Sequence, residues 1–357
     1  MNLKEEIVSM ARGMGVDKVG FTTRERLADA PPSGDMGYLL PSARSAVSLV
    51  VALDKAAIRA YLSKADQMAH TRDHRASYRK VTEAGMAIRQ LLKDKGYEAA
   101  TSWPNFEYRK GQPFNALVPP LSHRYVAVAS GIGWLGWSGN VITPEYGATI
   151  SLSSVVTSAE LEADEPLEQG DLCKECRLCA AVCASHFVSP KEETAVTIAG
   201  QTYTHNKKAP NLRCMVTCGG SNGVRDREAK WSTWSYKVLD LPGPGDDEEF
   251  VRRVLEYGKD RSNRLLNIVL DAENLDLPDL ENSGPFMDAL FLTCGNCMLV
   301  CWPELKDIKE NYRLLTTSGR VVKGDSGPVV VHDSELSESA MSTYPTCASI
   351  QGDTSWH

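Results

Sequence analysis

The chain has 357 residues with a formal net charge of −7, and 42% of its residues are hydrophobic and 24% charged. This is the composition of an ordinary globular protein, and the length is sufficient for two domains. The acidic balance does not favour nucleic acid as a partner. No apolar run approaches the roughly 20 residues of a membrane helix, and the N-terminal stretch lacks an apolar export segment, so we expect a cytoplasmic protein with no membrane partner.

The first part of the chain is predicted to alternate between helices and strands. A long amphipathic helix within YRKVTEAGMAIRQLLKDKG is expected to stop at Gly96. The acidic, loop-like stretch SAELEADEPLEQGD marks a domain boundary near Glu165. The other predicted elements of this part are helices at Leu3–Met14 and Ser122–Ser130 and strands at Lys18–Thr22, Ala46–Leu53, Tyr97–Ala100 and Ala148–Thr157.

The second part is predicted to be largely irregular. Between residues 186 and 290 only a helix around Glu248–Gly258 is expected. After Glu304 the chain shows little pattern apart from a strand at Pro328–His332.

Seven of the ten cysteines lie in two short runs. The first run has the spacing C-x2-C-x2-C-x3-C of bacterial ferredoxins, and the second run repeats its C-x2-C-x3-C half. In a reducing cytosol, clustered thiols are more often metal ligands than disulfides. Zinc, the alternative, usually takes two C-x2-C pairs or added histidines. The spacing therefore predicts two 4Fe-4S clusters, with ligands from Cys173, Cys176, Cys179 and Cys183 of the first run and Cys294, Cys297 and Cys301 of the second.

Two such clusters need eight thiolates, and the two runs supply seven. In the crossed ferredoxin pattern, each run contributes its last cysteine to the cluster of the other run. One cluster would then use Cys173, Cys176, Cys179 and Cys301. The other would use Cys183, Cys294, Cys297 and one cysteine of NLRCMVTCGG, either Cys214 or Cys218. Cys347, in a polar tail, is expected to bind no metal.

A glycine-rich segment, HRYVAVASGIGWLGWSGN, follows the predicted helix at Ser122–Ser130. Its glycines are Gly131, Gly133, Gly136 and Gly139. They indicate either backbone that lies close to a ligand or turns that need a positive φ, and the pattern alone leaves both interpretations open.

The segment HRYVAVASGIGWLGWSGNVITPEYGATISLSSVVTS, followed by CKECRLCAAVC, resembles the core of the cobalamin-dependent iron-sulfur reductases. This family holds the epoxyqueuosine reductases and the reductive dehalogenases. The resemblance covers about residues 1–185 and 290–304 and leaves the insertion and the tail unmatched. Because the lone intermediate cysteine of the family follows a similar NLR stretch, the resemblance favours Cys214 as the eighth ligand and Cys218 as a spare buried thiol. The matching positions are Gly131, Gly133, Trp134, Gly136, Thr143–Gly147, Val156 and Thr157.

The resemblance implies an α/β (α+β) nitroreductase-like corrinoid-binding domain at residues 1–165. It implies a ferredoxin-like domain with two 4Fe-4S clusters at 166–310, carrying the insertion at about 186–290, and a tail at 311–357. The implied cofactors are the two clusters and base-off cobalamin. The residues expected to lie at the corrin are Gly131, Gly133, Trp134, Gly136, Ser138, Gly139, Asn140, Thr143, Pro144, Glu145, Tyr146 and Gly147.

The function implied by the resemblance is that of a cytosolic oxidoreductase. An external ferredoxin- or flavodoxin-type donor would supply low-potential electrons, which the clusters would pass to cobalt for the reduction of a small organic substrate. Epoxyqueuosine reductases carry an acid in a V-D-T-G-P-L stretch, whereas the matching ALVPPL places Leu117 there; GWLGWSGNVITPEYG is nearer to the dehalogenases. Two alternatives remain: an electron-transfer or corrinoid-activating protein without its own substrate, and an epoxyqueuosine reductase-like tRNA modification enzyme.

Two stretches offer proton donors. Tyr108 stands beside Arg109 and Lys110, and a cation next to a phenol would lower its pKa and suit it to acid catalysis, although a surface turn is the simpler interpretation. His123 with Arg124 is the second candidate, with cofactor contacts as the alternative.

Two further groups have a structural and a functional interpretation. His70 and His74 have the spacing of metal ligands on a helix, but their charged neighbours favour a solvated face. The aromatic residues Trp231, Trp234 and Tyr236 line a substrate pocket or pack the insertion.

Overall fold

The chain is a mixed α/β protein in which one four-stranded sheet is followed by the cysteine-containing region. The computed structural model describes residues 2–103, 107–111, 117–168, 172–225, 229–237, 239–259, 292–325 and 327–332. The helices are α1 (Leu3–Gly13), α2 (Lys55–Leu62), α3 (Gln67–Asp94), α4 (His123–Ala129), α5 (Leu178–Ala181), α6 (Asn211–Cys218), α7 (Asp247–Lys259), α8 (Asn296–Leu299) and α9 (Leu305–Thr316). The strands are β1 (Lys18–Thr23), β2 (Ser45–Ala52), β3 (Ala99–Thr101), β4 (Trp134–Leu135), β5 (Val141–Ile142), β6 (Ile150–Thr157), β7 (Val188–Ile198), β8 (Gln201–Lys208), β9 (Arg320–Gly324) and β10 (Gly327–Val331).

The central sheet is antiparallel throughout, with the strand order β1-β2-β6-β3. Strand β2 is buried on both faces, and its side chains alternate between two apolar cores. Val47 and Leu49 face the core made by α1 and α3, whereas Ala46 and Val50 face the core made by α4 and the short β4–β5 hairpin. The sheet therefore fixes α4 and the glycine-rich segment after it on one face.

Helix α3 forms one wall of the sheet domain and begins and ends as its sequence dictates. The Asp66 carboxylate accepts a hydrogen bond from the Met68 N–H at 2.8 Å and caps the N-terminus. The helix ends before Gly96, which has a φ of +85°. The predicted stop at Gly96 is confirmed.

No helix in the described ranges is long and apolar enough to cross a membrane.

The region predicted to be irregular contains a β-hairpin, so this prediction is wrong. Strands β7 and β8 pair across a two-residue turn, Ala199–Gly200, in which both residues have positive φ. The Asp29 carboxylate accepts hydrogen bonds from both turn N–H groups, at 3.0 and 2.7 Å, and Tyr203 of β8 packs on Trp134. The hairpin is thereby fixed to the sheet domain.

The prediction of little pattern after Glu304 is wrong for residues 305–324, whereas the predicted strand at Pro328–His332 is confirmed by β10. Helix α9 begins at Leu305, and β9 and β10 form a second hairpin. Helix α9 packs in an apolar cluster with α2 and with the segments around the cysteines, through Ile58, Tyr61, Val182, Leu299, Val300, Trp302 and Ile308. This cluster connects the sheet domain to the cysteine region.

Candidate functional site

The structure brings Cys173, Cys176, Cys179 and Cys301 together, and we name these four the first cysteine group. Burial, together with the charges of Cys173 and Cys176, raises the pKa of the Cys179 thiol to about 12. Burial also raises the pKa of Cys301 well above its usual value, and the charges of the other three thiols act in the same direction. A cysteine of the second run thus shares a site with three cysteines of the first.

The remaining five cysteines of this region form a second cysteine group, made of Cys183, Cys214, Cys218, Cys294 and Cys297. Burial raises the pKa of Cys297, and the charges of Cys183, Cys214 and Cys294 raise it further. A hydrogen bond with Cys218 lowers the pKa of Cys294 to about 7, against the effect of burial. The Sγ atoms of Cys214 and Cys218 are 3.9 Å apart, so both candidates for the eighth ligand lie in this group.

Short helices and left-handed residues wrap the chain around these thiols. Glu175 and Arg177 have positive φ just before α5, and Gly295, at a φ of +131°, precedes α8. Cys179 and Cys297 lie within these single-turn helices. The local backbone therefore reverses direction within a few residues, as the C-x2-C spacing requires if neighbouring cysteines are to share a cluster.

Helix α6 carries Cys214 and Cys218. The buried side chain of Arg213, on the same helix, anchors it to neighbouring segments. The Arg213 side chain is 2% exposed, and its Nε donates to the Asp247 carboxylate at 2.7 Å. Its other nitrogens donate to the carbonyls of Pro242 and Gly243, and the guanidinium stacks on Phe250. A buried arginine with all of these partners holds the helix in one position.

The donor set fits 4Fe-4S clusters in number and type. Each group offers at least four thiols, and a cubane uses one thiolate for each of its four irons. In the described part of the chain, no three Cys, His, Asp or Glu side chains converge on a point where one metal ion could bind. Two N–H groups donate to the sulfurs, from Trp137 to Cys173 and from Val188 to Cys183, both at 3.4 Å. Such N–H···S hydrogen bonds help to set cluster potentials.

The glycines predicted to lie at a corrin are in contact with protein atoms. A Cβ at Gly133 would lie 2.6 Å from the Ile142 carbonyl, and one at Gly136 would overlap the Ile142 side chain. A Cβ at Gly131, which has a φ of +69°, would overlap the Glu165 carbonyl. Close packing of the protein therefore accounts for these three glycines without a cofactor.

The predicted turn at Thr143–Gly147 joins the sheet domain to the first cysteine group. Thr143 and Gly147 exchange backbone hydrogen bonds at 2.8 and 3.0 Å, and the Thr143 hydroxyl accepts from the Tyr146 N–H. Gly147 has a φ of +58° and packs against the carbonyl of Cys301. Pro144 lies within this turn, and Glu145 forms an ion pair with Lys18 at 2.7 Å.

The loop at residues 138–140 reaches the second cysteine group. The Asn140 side-chain amide lies 3.9 Å from the Cys297 sulfur, and the Ser138 hydroxyl accepts from the Asn140 N–H. A Cβ at Gly139, which has a φ of +74°, would lie 2.9 Å from the Lys208 ammonium. This part of the predicted corrin-binding segment therefore lies beside both Lys208 and Cys297.

Lys208 and Arg124 lie beside the second group. Burial and the charge of Arg124 lower the pKa of Lys208 to about 8, and both cations interact with the Cys214 thiol. Neither has a carboxylate within salt-bridge distance in the described residues. An uncompensated pair of this kind favours anions in its vicinity.

The expectation that neighbouring cations lower the pKa of Tyr108 is wrong. Burial raises its pKa to about 12, and the charge of Cys214 acts in the same direction. The Arg109 guanidinium is engaged elsewhere, because it donates to the carbonyls of Pro32, Pro119 and Pro120 and stacks on Tyr38. Tyr108 therefore keeps its proton at neutral pH and lies near the second cysteine group.

His123 is half-buried, and both of its ring nitrogens are shielded from solvent. Burial lowers its pKa to about 4, with the Ser102 backbone acting weakly in the opposite direction, so the imidazole is neutral. Both ring nitrogens and the Ser102 hydroxyl lack a hydrogen-bond partner among the described residues. Buried polar atoms of this kind are suited to a polar ligand.

The prediction that His70 and His74 lie on a solvated face is wrong. His70 is fully buried, both of its ring nitrogens lack partners among the described residues, and burial lowers its pKa to about 3. Its ring contacts Tyr61 and His74, with centroids at 5.1 and 5.6 Å. The helix face that carries it packs toward Gly295, where a Cβ would lie 3.6 Å from His70 Nε2.

The aromatic residues of the insertion contribute to packing. Trp234 donates through Nε1 to the Tyr61 carbonyl at 2.9 Å and packs on the Tyr61 ring. Its N–H donates to the Thr293 carbonyl, and Trp231 is buried in the same apolar cluster. For these two tryptophans the packing interpretation is the one that their contacts support.

Comparisons with known proteins agree with the motifs. The chain is 27% identical over 204 residues to epoxyqueuosine reductase of Bacillus subtilis and 25% identical over 202 residues to that of Bacillus cereus. Each match covers 51% of this chain, and the matches cover 50% of the Bacillus subtilis protein and 51% of the Bacillus cereus protein. The tetrachloroethene reductive dehalogenase of Dehalobacter restrictus is 27% identical over 146 residues, 39% of this chain and 24% of that protein. The chain is similar in sequence to the epoxyqueuosine reductases and the reductive dehalogenases. The resemblance predicted from the motifs is thus confirmed.

The chain spans about half the length of the epoxyqueuosine reductases it matches. No family model matches it. Among solved structures, a reductive dehalogenase has a TM-score of 0.46 at 17% identity, covering 75% of this chain and 36% of that chain. Epoxyqueuosine reductase from Bacillus subtilis has a TM-score of 0.38 at 21% identity, covering 64% and 60%. The named relatives are all reductases, in agreement with the predicted oxidoreductase class.

Proposed function

We propose that the chain is a cobalamin-dependent iron-sulfur reductase. The observation that carries this proposal is the grouping of the cysteines into two sets of at least four thiols, each drawn from both runs. Two cubanes give a one-electron path that a single metal ion does not give, and thiolate-ligated clusters reach the low potentials needed to reduce cobalt. In this proposal residues 1–165 are a nitroreductase-like domain and residues 166–310 a ferredoxin-like domain.

The two clusters would take different positions on the electron path. Cys176 of the first group is exposed, whereas Cys183 of the second is buried. An external ferredoxin- or flavodoxin-type donor would therefore deliver electrons at the first group. The second group, beside Tyr108, Arg124 and Lys208, would pass them to the cofactor.

Base-off cobalamin, when bound, would supply a strongly reducing cobalt centre. For its binding we propose residues with buried polar atoms that lack partners among the described residues, together with the loop beside the second group. His123 and Ser102 have buried polar atoms without partners in the described ranges, and the loop at 138–140 lies between Lys208 and Cys297. Gly131, Gly133 and Gly136 support that loop through packing.

Tyr108 is the group that we propose as proton donor. Its raised pKa keeps the proton on the phenol oxygen, and burial restricts access of water to it. His123, with a pKa of about 4, holds no second proton at neutral pH, so it is suited to accept or orient rather than to act as an acid. Arg124 would orient a negatively charged group at the same place.

Epoxyqueuosine in tRNA is the first substrate to test. The matches to epoxyqueuosine reductases cover 51% of the chain, more than the 39% covered by the dehalogenase match. Nucleic acid is then a partner, although the acidic composition did not favour one. A small halogenated molecule is the second candidate, because Leu117 occupies the place of the acid in epoxyqueuosine reductases.

The test is a reduction assay on protein loaded anaerobically with iron, sulfide and cobalamin. A low-potential donor would drive turnover of an epoxyqueuosine-containing tRNA stem-loop in one arm and of a halogenated phenol in the other. Turnover in either arm that disappears without cobalamin supports the proposal and identifies the substrate class. A protein that binds both clusters and no cobalamin contradicts it and leaves electron transfer as the function.

A further inference from the structure

Three cations interact with the second cysteine group, and none of them has a carboxylate partner among the residues that the structure describes. We propose that Lys64, Arg124 and Lys208 raise the reduction potential of the cluster at this group above that of the cluster at the first group. The proposal rests on the two clusters of the proposed function. It adds the residues that give the electron path its direction.

The contacts of Lys64 place its ammonium close to the segment that carries Cys294. Its ammonium donates to the Ser232 carbonyl at 2.7 Å and to the Ser318 hydroxyl at 3.1 Å, and it lies 5.6 Å from the centre of the Trp234 ring. The Trp234 N–H donates to the carbonyl of Thr293, the residue before Cys294. The ammonium interacts electrostatically with the Cys294 thiol.

The neighbours of Lys64 solvate the ammonium without neutralising it. Its partners are one carbonyl and one hydroxyl, both uncharged, and no carboxylate lies within salt-bridge distance in the described part of the chain. Burial lowers the pKa of Lys64 to about 7 and the charge of Cys294 raises it, so an anionic cluster beside Cys294 would hold the ammonium in its charged form. In the described residues, no carboxylate cancels that charge. The low effective dielectric of the protein interior makes the interaction with Cys294 stronger than it would be in water.

Lys208 and Arg124 interact with other thiols of the same group. Lys208 interacts with Cys297 and Cys214, and Arg124 interacts with Cys214. The two cations also repel each other. An anionic cluster offsets this repulsion, so the arrangement favours a larger negative charge at the second group.

Two of the cations near the first group, Lys55 and Arg177, have carboxylate partners, and a third, Lys174, is exposed to solvent, which screens its charge. Lys55 lies 4.7 Å from the centre of the Trp302 ring, next to Cys301, but its ammonium pairs with Asp307 at 3.0 Å. Arg177 stacks on Trp137 and has the Glu175 carboxylate at 3.7 Å. The charge interactions acting on Cys301 come from the other thiols.

Reduction adds one negative charge to a cluster, and an uncompensated cation stabilises the reduced state. The second cluster should therefore be the easier of the two to reduce. An electron that enters at the exposed first group then moves downhill to the buried second group.

The test is a redox titration, followed by electron paramagnetic resonance, of anaerobically purified Lys64→Met. Methionine keeps the length of the side chain and removes the charge. We expect the reduction potential of one cluster to fall by about 59 mV, which corresponds to a tenfold change in a one-electron reduction equilibrium. The iron content should stay at the parent value. Lys64→Arg should keep the parent potential.

Lys55→Met is the matched control. It removes a lysine stacked on a tryptophan beside a cysteine ligand, and Asp307 keeps its ion pair with Arg59 at 2.7 Å. Neither potential should shift in this variant. Equal shifts in Lys55→Met and Lys64→Met would overturn the proposal, as would a Lys64→Met protein with normal iron and unchanged potentials.

Lys208→Met provides an independent variant if Lys64→Met fails to bind iron. It should lower the same potential as Lys64→Met, and a shift confined to the other cluster would also overturn the proposal. A parent protein without two clusters contradicts the proposed function itself, and iron content distinguishes that result from a failed potential shift.

Discussion

Cys183 and Cys294, the last cysteine of the first run and the first cysteine of the second, lie in the same thiol group. Burial raises the pKa of Cys183, and the charges of Cys214 and Cys294 raise it further. In turn Cys301, from the end of the second run, lies with Cys173, Cys176 and Cys179. Each group therefore depends on both segments, so neither run completes a site alone.

Single Cys→Ser substitutions should show directly that each cluster takes ligands from both cysteine runs. Cys183→Ser and Cys294→Ser should lose the same cluster, although they lie in different runs, and Cys301→Ser should lose the other. Each variant should retain about four irons, because one cubane remains. Electron paramagnetic resonance of the reduced variants is the measurement. If Cys183→Ser and Cys301→Ser lose the same signal, the crossed arrangement is wrong.

Cys214 and Cys218 should differ in their effects. Only one further thiolate completes the second group, and the relatives' pattern favours Cys214. Cys214→Ser should lower iron content by about half, whereas Cys218→Ser should leave both clusters in place. Iron and sulfide analysis of the two variants decides the point. The reverse result would assign the eighth ligand to Cys218.

Gly147 should be required for folding rather than for cofactor binding. It has a φ of +58°, and an added Cβ would overlap the carbonyl of Cys301 and the backbone of Trp302. We expect Gly147→Ala to lower the free energy of unfolding by about 1–3 kcal/mol. Thermal unfolding without cobalamin measures this. Gly243→Ala, where a Cβ meets nothing within 4 Å, should have little effect, and equal destabilisation by both variants would contradict the packing argument.

Tyr108→Phe should lower turnover with little change in cluster content. Loss of a positioned acid typically costs about 10²- to 10⁴-fold in rate. Because burial raises the pKa of the phenol to about 12, the parent rate should not fall through loss of the Tyr108 proton as pH rises from 7 to 10. Steady-state rates across this range test the assignment. A Tyr108→Phe enzyme with the parent rate would exclude Tyr108 as proton donor.

His123 should make the protein less stable at mildly acidic pH. Its pKa is lowered to about 4 in the fold from an ordinary 6.5, so the unfolded chain binds the additional proton first. The neutral imidazole makes its full contribution to the free energy of unfolding above pH 6.5. That contribution is lost as pH falls toward 4, by up to about 1.4 kcal/mol per pH unit. Denaturant unfolding of the parent and of His123→Phe at pH 7 and pH 5 measures the difference. A pH dependence that is identical in the two proteins would contradict the assignment.

The sequence predicted those features that local chemistry determines. The apolar strand β2, the helix stop at Gly96 and the ferredoxin-like spacing each depend on residues close together in the chain. The β7–β8 hairpin is also encoded locally, in the alternation of TAVTIAGQTYTH around a two-residue turn, but the surrounding region has few such regular patterns.

The errors concern properties that arise only from tertiary packing. His70 has charged neighbours in sequence, yet its own face of α3 is covered by Tyr61 and the Gly295 loop. Arg109 is adjacent to Tyr108, yet its guanidinium points to the carbonyls of Pro119 and Pro120. Burial of a side chain and the direction of a cation depend on distant segments, and periodicity does not specify them.

Metal and cofactor analysis of the anaerobically purified protein tests the central claim most directly. Two cubanes and one corrin predict about eight irons, about eight acid-labile sulfides and one cobalt per chain after loading with cobalamin. A protein with stoichiometric zinc, with about four irons, or with eight irons and no bound cobalt would contradict the account.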